Sequence, residues 1–414
     1  SAAEVRALVT TVDVAIAGGG PGGAAAAIAL AKQGQRVLLA DAGTGRWPRI
    51  GEGLPPSARA LLRELGVLDQ VLADGHRRSP GTLAFWGSDT AHAEDTLFGL
   101  HGEGLQLDRA RFDAGLRAAA QAAGAQVHEG ARLRLLERGD AQMPHTLELR
   151  NGEAAPQRMQ ARWLIDASGR SATLARALGA RRIAHDRLLA FYQRLVGGAA
   201  TDRDGRTWVE AVPDGWWYSV LLPSGERLIA YLSDFSGEAG AAERRGLLTD
   251  EGLWNALRLA PRLHALCAEH GWRPNGAVLG ADAGSSELDH AGGERWLAVG
   301  DAALAFDPLS SKGIANALYT GVRAAGVIWD CERGDADAVG GYARHLREIH
   351  RVYRGQCRGF YAMEGRWALS GFWRGRGRLT VAVAGQADSM RAGAGLNMGA
   401  NALRDGLGSL VPAT

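Results

Sequence analysis

The chain reads as an α/β protein. It has a Rossmann-type parallel sheet, an antiparallel β sheet inserted into it, and a C-terminal helical region. Three observations predict this. A glycine-rich turn, Gly18-Gly19-Gly20-Pro21-Gly22-Gly23, stands between a short apolar run and a small-residue helix. Between Leu189 and Asp234 the pattern shifts to strands joined as hairpins. From about Ala336 onward the chain is helical, Arg-rich and aromatic.

Taken in order, Asp13–Ala17 is apolar and short enough for a buried strand, and Pro21–Gln33 is a helix stopped at Gly34. Arg36–Ala40 is a second buried strand, which completes a βαβ unit with parallel strands. Pro55–Gly66 is a helix with prolines at its start and glycine at its end. Arg109–Ala123 is another, followed by a short strand at Gln126–His128, and Arg162–Asp166 is a strand. Leu189–Leu195, Thr207–Val212, Trp216–Leu222 and Arg227–Asp234 are the inserted strands, the last two joined by the turn Pro223-Ser224-Gly225-Glu226. Arg295–Val299 returns to a buried strand and Gly313–Trp329 to a helix.

Composition narrows the function classes. A hydrophobic content of 46% over 414 residues supports a large core, and a formal charge of +2 gives no footprint for nucleic acid. Lysine occurs only at Lys32 and Lys312, so arginine carries nearly all the positive charge. Cys267, Cys331 and Cys357 are odd in number and widely spaced, with no metal spacing and no disulfide framework, which points to a reducing, cytoplasmic setting. No apolar run approaches the ~18 residues of a spanning helix, and no secretory leader is evident, so a membrane is not expected.

Gly18, Gly20 and Gly23 match G-x-G-x-x-G between a strand and a helix. The first permits the tight turn, the second lets backbone approach a pyrophosphate, and the third allows close helix–strand packing. The helix N-terminus offers free N–H groups to phosphates. Asp41 ends the second strand, where an acid accepts ribose hydroxyls. Asp166-Ala167-Ser168-Gly169-Arg170 alone would be an ordinary capped strand-to-helix turn. Gly300-Asp301 ends another strand, Asp307-Pro308 forces a turn, and Lys312-Gly313-Ile314 begins a helix whose dipole can face a flavin ring. In this order and at these distances the three motifs point to extended FAD.

Here the chain resembles the FAD-dependent aromatic hydroxylase and tryptophan halogenase superfamily over almost its whole length. The resemblance is carried by Ala17–Ala26, Arg49-Ile50-Gly51-Glu52, Leu107-Asp108-Arg109-Ala110-Arg111-Phe112-Asp113, Ile165–Arg170 and Ala298–Leu318. It implies a glutathione-reductase-like FAD-binding domain formed by residues 1–85, 105–185 and 285–335. The antiparallel substrate domain would take 86–104 and 186–284, and the helical region 336–414. It also implies that Gly18, Gly20, Gly23, Asp41, Arg109 and Asp301 hold the FAD, with Pro308, Gly313 and Ile314 against the isoalloxazine ring.

The chain departs from the halogenases of that superfamily. Where they carry a lysine for the hypohalous species it offers Arg77, Arg78 and Ser79, and where they carry a glutamate it has Ser310. Their W-x-W-x-I-P signature appears only as Gly215-Trp216-Trp217-Tyr218-Ser219-Val220-Leu221-Leu222-Pro223. Hydroxylation through a flavin C4a-hydroperoxide is therefore the expected chemistry. Gly51-Glu52-Gly53-Leu54-Pro55-Pro56, Glu210 with Gly215-Trp216-Trp217-Tyr218, and Arg366-Trp367 with Phe372-Trp373 look like flavoproteins that oxidise a tryptophan in a partner peptide during tryptophylquinone cofactor biogenesis.

Trp208, Trp217 and Tyr218 are the expected substrate-stacking rings, with sheet core as their other reading. Glu52 and Glu210 are the candidate bases, although Glu210 could face water and Glu52 could only fix a loop. The Arg-rich tail, from Arg351 to Arg378, reads equally as solvated surface or as a docking face for an acidic partner. No second dinucleotide motif is present, so electrons come from transiently bound NAD(P)H or a separate reductase, and O2 is the oxidant. A flavin-dependent halogenase, a small-aromatic hydroxylase, an isoprenoid reductase and a flavin-binding partner without turnover stay open as alternatives.

Overall fold

The computed structural model describes residues 10–43, 50–95, 102–235, 237–249 and 251–377. Arg49, Arg378 and the Gly/Asn/Ala-rich stretch from residue 392, all used in the sequence reading, lie outside them.

The expected α/β fold is present. Five parallel strands form the centre of one sheet, in the order Trp296–Ala298, Gln157–Asp166, Thr10–Ala17, Val37–Asp41 and Gln126–Glu129. Their apolar residues are covered on both faces, which is why they read as continuous runs rather than as alternation. The helix Pro21–Lys32 buries Ala24, Ala25, Ala26 and Ala27 completely. Side chains this small let the long helix Gly313–Glu332 cross it closely: a Cβ on Gly321 would lie 2.3 Å from the carbonyl oxygen of Gly22.

Register brings the motifs together. Ala17 pairs with Asp166, and Asp166 with Ala298. The three glycine-bearing turns therefore leave neighbouring strands at one carboxyl edge, the edge beyond which open α/β sheets bind ligands.

A second sheet has seven strands, in the order Arg273–Asp282, Leu189–Val196, Arg227–Ser233, Gly215–Leu221, Thr207–Val212, Gly81–Phe85 and His92–Asp95. Neighbours are antiparallel except Thr207–Val212 with Gly81–Phe85, which run parallel. The domain boundary expected after residue 85 is corrected here, because Gly81–Phe85 pairs within the second sheet. Five residues beginning with glycine after a proline carry too little alternation to reveal this from sequence.

One face of the second sheet is sealed by helices Gly237–Leu247, Gly252–Ala256 and Pro261–His270. Trp217, Leu221, Ile229 and Tyr231 pack there against Leu253, Leu257 and Leu263. The other face carries Ala190, Tyr192, Val209, Trp216 and Val220, and meets Leu309 of the third motif. Helix Ala338–Met363 spans both layers: Tyr342, Leu346 and Tyr353 join the core of the first, and Tyr361 that of the second. Among the described residues, no helix is long and apolar enough to cross a membrane.

Candidate active site

Between the two sheets lies a cavity of about 1020 Å³. It starts at Gly18, Gly20 and Asp41, passes Glu52, Arg109 and Ser168, and reaches Asp301 and the Pro308–Ile314 segment. Its far wall is formed by Tyr192, Val209, Trp216 and Tyr218.

The near end fits a dinucleotide. Gly18 has φ +106°, and a Cβ there would fall 2.2 Å from the Ala167 carbonyl oxygen. A Cβ on Gly23 would fall 1.9 Å from the oxygen of Gly18, so this glycine works from behind the cavity by bringing helix and strand together. Helix Pro21–Lys32 has neither a side-chain cap nor an acidic residue in its first turn. Its N-terminal positive end is thus left for an anion. Asp41 accepts from the Gly19 amide at 3.2 Å and stands 3.6 Å from Arg117, which orients its carboxylate at the cavity wall.

Each of the other residues expected at the cofactor lines this cavity. Arg109 is tied on both sides: Nη1 donates to the carbonyls of Ile50 (3.1 Å) and Gly51 (3.0 Å), and Nη2 pairs with Asp113 at 3.2 Å. It thereby braces the loop that presents Glu52. Asp301 shows 40% of its side chain to the cavity, and its Oδ2 lies 3.8 Å from Nε of Arg170. Its depth in the cavity, away from bulk water, raises its carboxyl, against the pull of Arg170. Arg170 also holds the carbonyls of Gly284 and Phe306, so the middle motif is tied to the loop after strand Arg273–Asp282 and to the turn that leads into Asp307.

Glu52 is 5% exposed and lines the cavity. Burial pushes its carboxyl up to about 7, and the charge of Arg109 only partly opposes this. The Gly51 amide donates to its Oε2 at 3.1 Å. Burial raises the hydroxyls of Tyr218 and Tyr192, with Glu52 adding in both cases. Tyr192, Ala230 and Tyr218 form one cross-strand row, so the two hydroxyl-bearing rings stand on either side of the Ala230 methyl.

Three expected site residues are corrected. Trp217 and Trp208 point to the helix-covered face, because side chains alternate along a strand and Trp216 and Tyr218 take the cavity face. Trp217 stacks on Tyr231 at 4.8 Å, and Trp208 donates to Asp204 at 2.8 Å. Glu210 shares that rear face, where it accepts from the amides of Arg262 (3.1 Å) and Leu263 (2.8 Å) in the first turn of helix Pro261–His270. It caps a helix and does not reach the cavity. Its raised carboxyl follows from burial.

The sequence reading missed a polar chain behind the third motif. Asp307 is 1% exposed. Its Oδ2 accepts from Tyr361 at 2.7 Å, and Tyr361 in turn accepts from Trp216 Nε1 at 3.1 Å. Tyr353 accepts from the Asp307 amide at 2.7 Å. Burial pushes Asp307 up to about 6, partly offset by the Tyr361 hydrogen bond. Strand phase could have chosen Trp216 over Trp217, since it shares parity with Tyr218. Nothing local in sequence pairs residue 307 with 361. Lys312 also lines the cavity; its Nζ donates to Gln356 at 3.0 Å, and burial lowers it to about 8.

At the positions that set the chain apart from halogenases, Ser310 donates from Oγ to the Asp307 carbonyl at 2.8 Å. Ser79 accepts from Gln106 at 3.1 Å within a small separate sheet.

A family model described as an FAD binding domain matches residues 11–339. The chain is 28% identical over 373 residues to LodB of Marinomonas mediterranea, named as an FAD-dependent oxidoreductase, covering 88% of this chain and 96% of that protein. The fold superposes on the myxobacterial chondrochloren halogenase CndH with a TM-score of 0.81, at 23% identity over 98% of each chain. It also superposes on QhpG, a peptidyl tryptophan dihydroxylase essential for tryptophylquinone cofactor biogenesis, with a TM-score of 0.67, at 24% identity over 89% of this chain and 79% of that one. At these identities the two structural likenesses concern the fold.

Proposed function

Since the chain belongs to the FAD binding domain family, and is an FAD-dependent oxidoreductase of the flavin-dependent halogenase and aromatic monooxygenase superfamily, we propose that it hydroxylates an electron-rich aromatic ring. The observation that carries this reading is the cavity wall opposite the third motif. Tyr218, Tyr192 and Trp216 stand there among Ala190, Val209 and Val220, and Glu52, a buried carboxylate, lines the same cavity. Reduced flavin, when bound, activates O2 and supplies an electrophilic oxygen.

The protein does the rest by placement. Gly18, Gly20 and Asp41 would hold the nucleotide end, and the N-terminus of Gly313–Glu332 would face the ring. Tyr218, the more exposed ring of this wall, supplies an aromatic surface for a substrate ring, and Trp216, 1% exposed and fixed through Nε1 to Tyr361, backs it. The Glu52 carboxylate would take a proton from a substrate N–H or O–H, which raises the ring's electron density as oxygen arrives. A carboxyl held at about 7 is suited to that exchange near neutral pH. The two tyrosine hydroxyls can orient the same heteroatom.

For the substrate, a tryptophan in a partner peptide fits the aromatic wall, and the likeness to the peptidyl tryptophan dihydroxylase QhpG favours it. Electrons would come from NAD(P)H or a separate reductase. Halogenation is the second reading. It is favoured by the likeness to a halogenase and by Lys312, a half-buried amine on the cavity wall. Against it stand Ser310 and the absence of lysine near Ser79.

The two readings separate in one experiment. FAD-loaded protein is reduced, exposed to O2 and incubated with a tryptophan peptide or a phenol, with and without bromide. Mass gain in units of one oxygen, unchanged by bromide, is the expected result. Bromine incorporation would replace hydroxylation with halogenation, and no product here, beside reduction of an isoprenoid alkene supplied to the reduced protein in a parallel incubation, would favour the isoprenoid reductase class.

A further inference from the structure

Outside the cavity, three side chains from distant parts of the chain converge. His185 follows strand Arg182–Ala184, Glu287 lies in strand Ser286–Leu288, and His350 lies in helix Ala338–Met363. Nε2 of His185 is 3.0 Å from one carboxylate oxygen of Glu287, and Nδ1 of His350 is 3.0 Å from the other. The three donor atoms lie within 4.8 Å of one another, and no other such trio occurs among the described residues.

We propose that His185, Glu287 and His350 bind a divalent transition-metal ion of the zinc class. Two imidazoles and one carboxylate suit a borderline ion, whereas magnesium and calcium select all-oxygen sets. Zinc bonds of about 2.0–2.2 Å in a tetrahedron place donor atoms roughly 3.4 Å apart. Separations running from 3.0 Å to no more than 4.8 Å bracket that spacing, so small side-chain shifts would close the site. His350 is 3% exposed, so its ring is held in place by the surrounding packing. His185 and Glu287 keep 14% and 18% of their side chains exposed, which leaves a route for the ion and for a water as fourth ligand.

The site would brace the third motif from behind. His350 lies three residues before Tyr353, whose hydroxyl meets Ser285 Oγ at 2.7 Å and the Asp307 amide at 2.7 Å. Glu287 stands two residues after Ser285, and its strand pairs with Leu304–Ala305, which leads into Asp307-Pro308. An ion at this point ties helix Ala338–Met363 to the sheet that aims the turn. This inference does not depend on which reaction the cavity performs.

The test uses the FAD-containing protein, freed of any polyhistidine tag and treated with chelator. It is titrated with Zn2+ by calorimetry, metal retained after desalting is counted by mass spectrometry, and melting is followed with Zn2+ or Mg2+. One retained Zn2+ per chain is expected, with a Zn2+-dependent rise in Tm and none with Mg2+. His185→Gln, on the more exposed ligand, and Glu287→Gln should each weaken Zn2+ binding at least tenfold while keeping the flavin spectrum. No stoichiometric retention by the wild-type chain, or equal retention by both variants, would overturn the proposal and leave a hydrogen-bonded His–Glu–His cluster.

Discussion

Glu52 is where residue-scale chemistry is sharpest. As its carboxyl is held at about 7, the charged fraction, and with it any activity that uses Glu52 as base, should rise as pH passes through about 7. Glu52→Gln should lower turnover at least tenfold and remove that rise from the kcat/KM profile. The same shift has a stability consequence of fixed sign. A carboxyl raised on folding favours the folded state below its unfolded value, and that contribution is lost as pH climbs through the folded value. Glu52→Gln should therefore melt higher than wild type at pH 8 and not at pH 5. Tyr361→Phe removes a buried hydroxyl that both donates to Asp307 and accepts from Trp216, and should cost about 1–3 kcal/mol in a urea melt. Glu52 was legible in sequence because it adjoins Gly51 in a recognisable loop. Trp216 was not separable from Trp217 by type alone: the two differ only in strand phase, and phase is set by which face the helices cover. The Asp307–Tyr361 pair spans 54 positions and leaves no local trace.

At the scale of elements, the instructive error is Glu210. A carboxylate among aromatics suggested a base. Its strand instead delivers it to the two free amides at the start of Pro261–His270, a helix without an N-terminal cap of its own. Glu210→Ala should therefore destabilise the protein by about 1–3 kcal/mol, read by thermal or urea unfolding. Turnover of the folded fraction should stay within about twofold. A large loss of kcat with unchanged stability would return Glu210 to the catalytic list. The parallel strands and their helices were readable because apolar runs and glycine stops mark them plainly. Strand Arg273–Asp282 was not: Pro274, Asn275, Gly276 and Gly280 break its alternation, and pairing with Leu189–Val196 is what holds it. The three helices between residues 237 and 270 were passed over because none exceeds eleven residues, too short for a helical period to stand out.

For the whole molecule, register achieves what the sequence could only imply by order. Three turns separated by well over a hundred residues become neighbours because Ala17, Asp166 and Ala298 are laterally paired. Gly18→Ala puts a methyl against the Ala167 carbonyl and strains φ, so the variant should purify with far less flavin, read as the ratio of flavin to protein absorbance. The fold class was thus largely visible in advance, and the face on which chemistry occurs was not. One detail of the second sheet bears on how this protein can be divided. Gly81–Phe85, contributed by the first part of the chain, sits between Thr207–Val212 and His92–Asp95. A fragment cut to residues 186–284 would lack this insert and bare the hydrogen-bonding edge of Thr207–Val212. Such a fragment should precipitate, whereas co-expression with the remaining pieces should rescue it. The substrate layer is therefore not a cassette that can be grafted onto another flavoprotein: any exchange between relatives has to carry both segments across together.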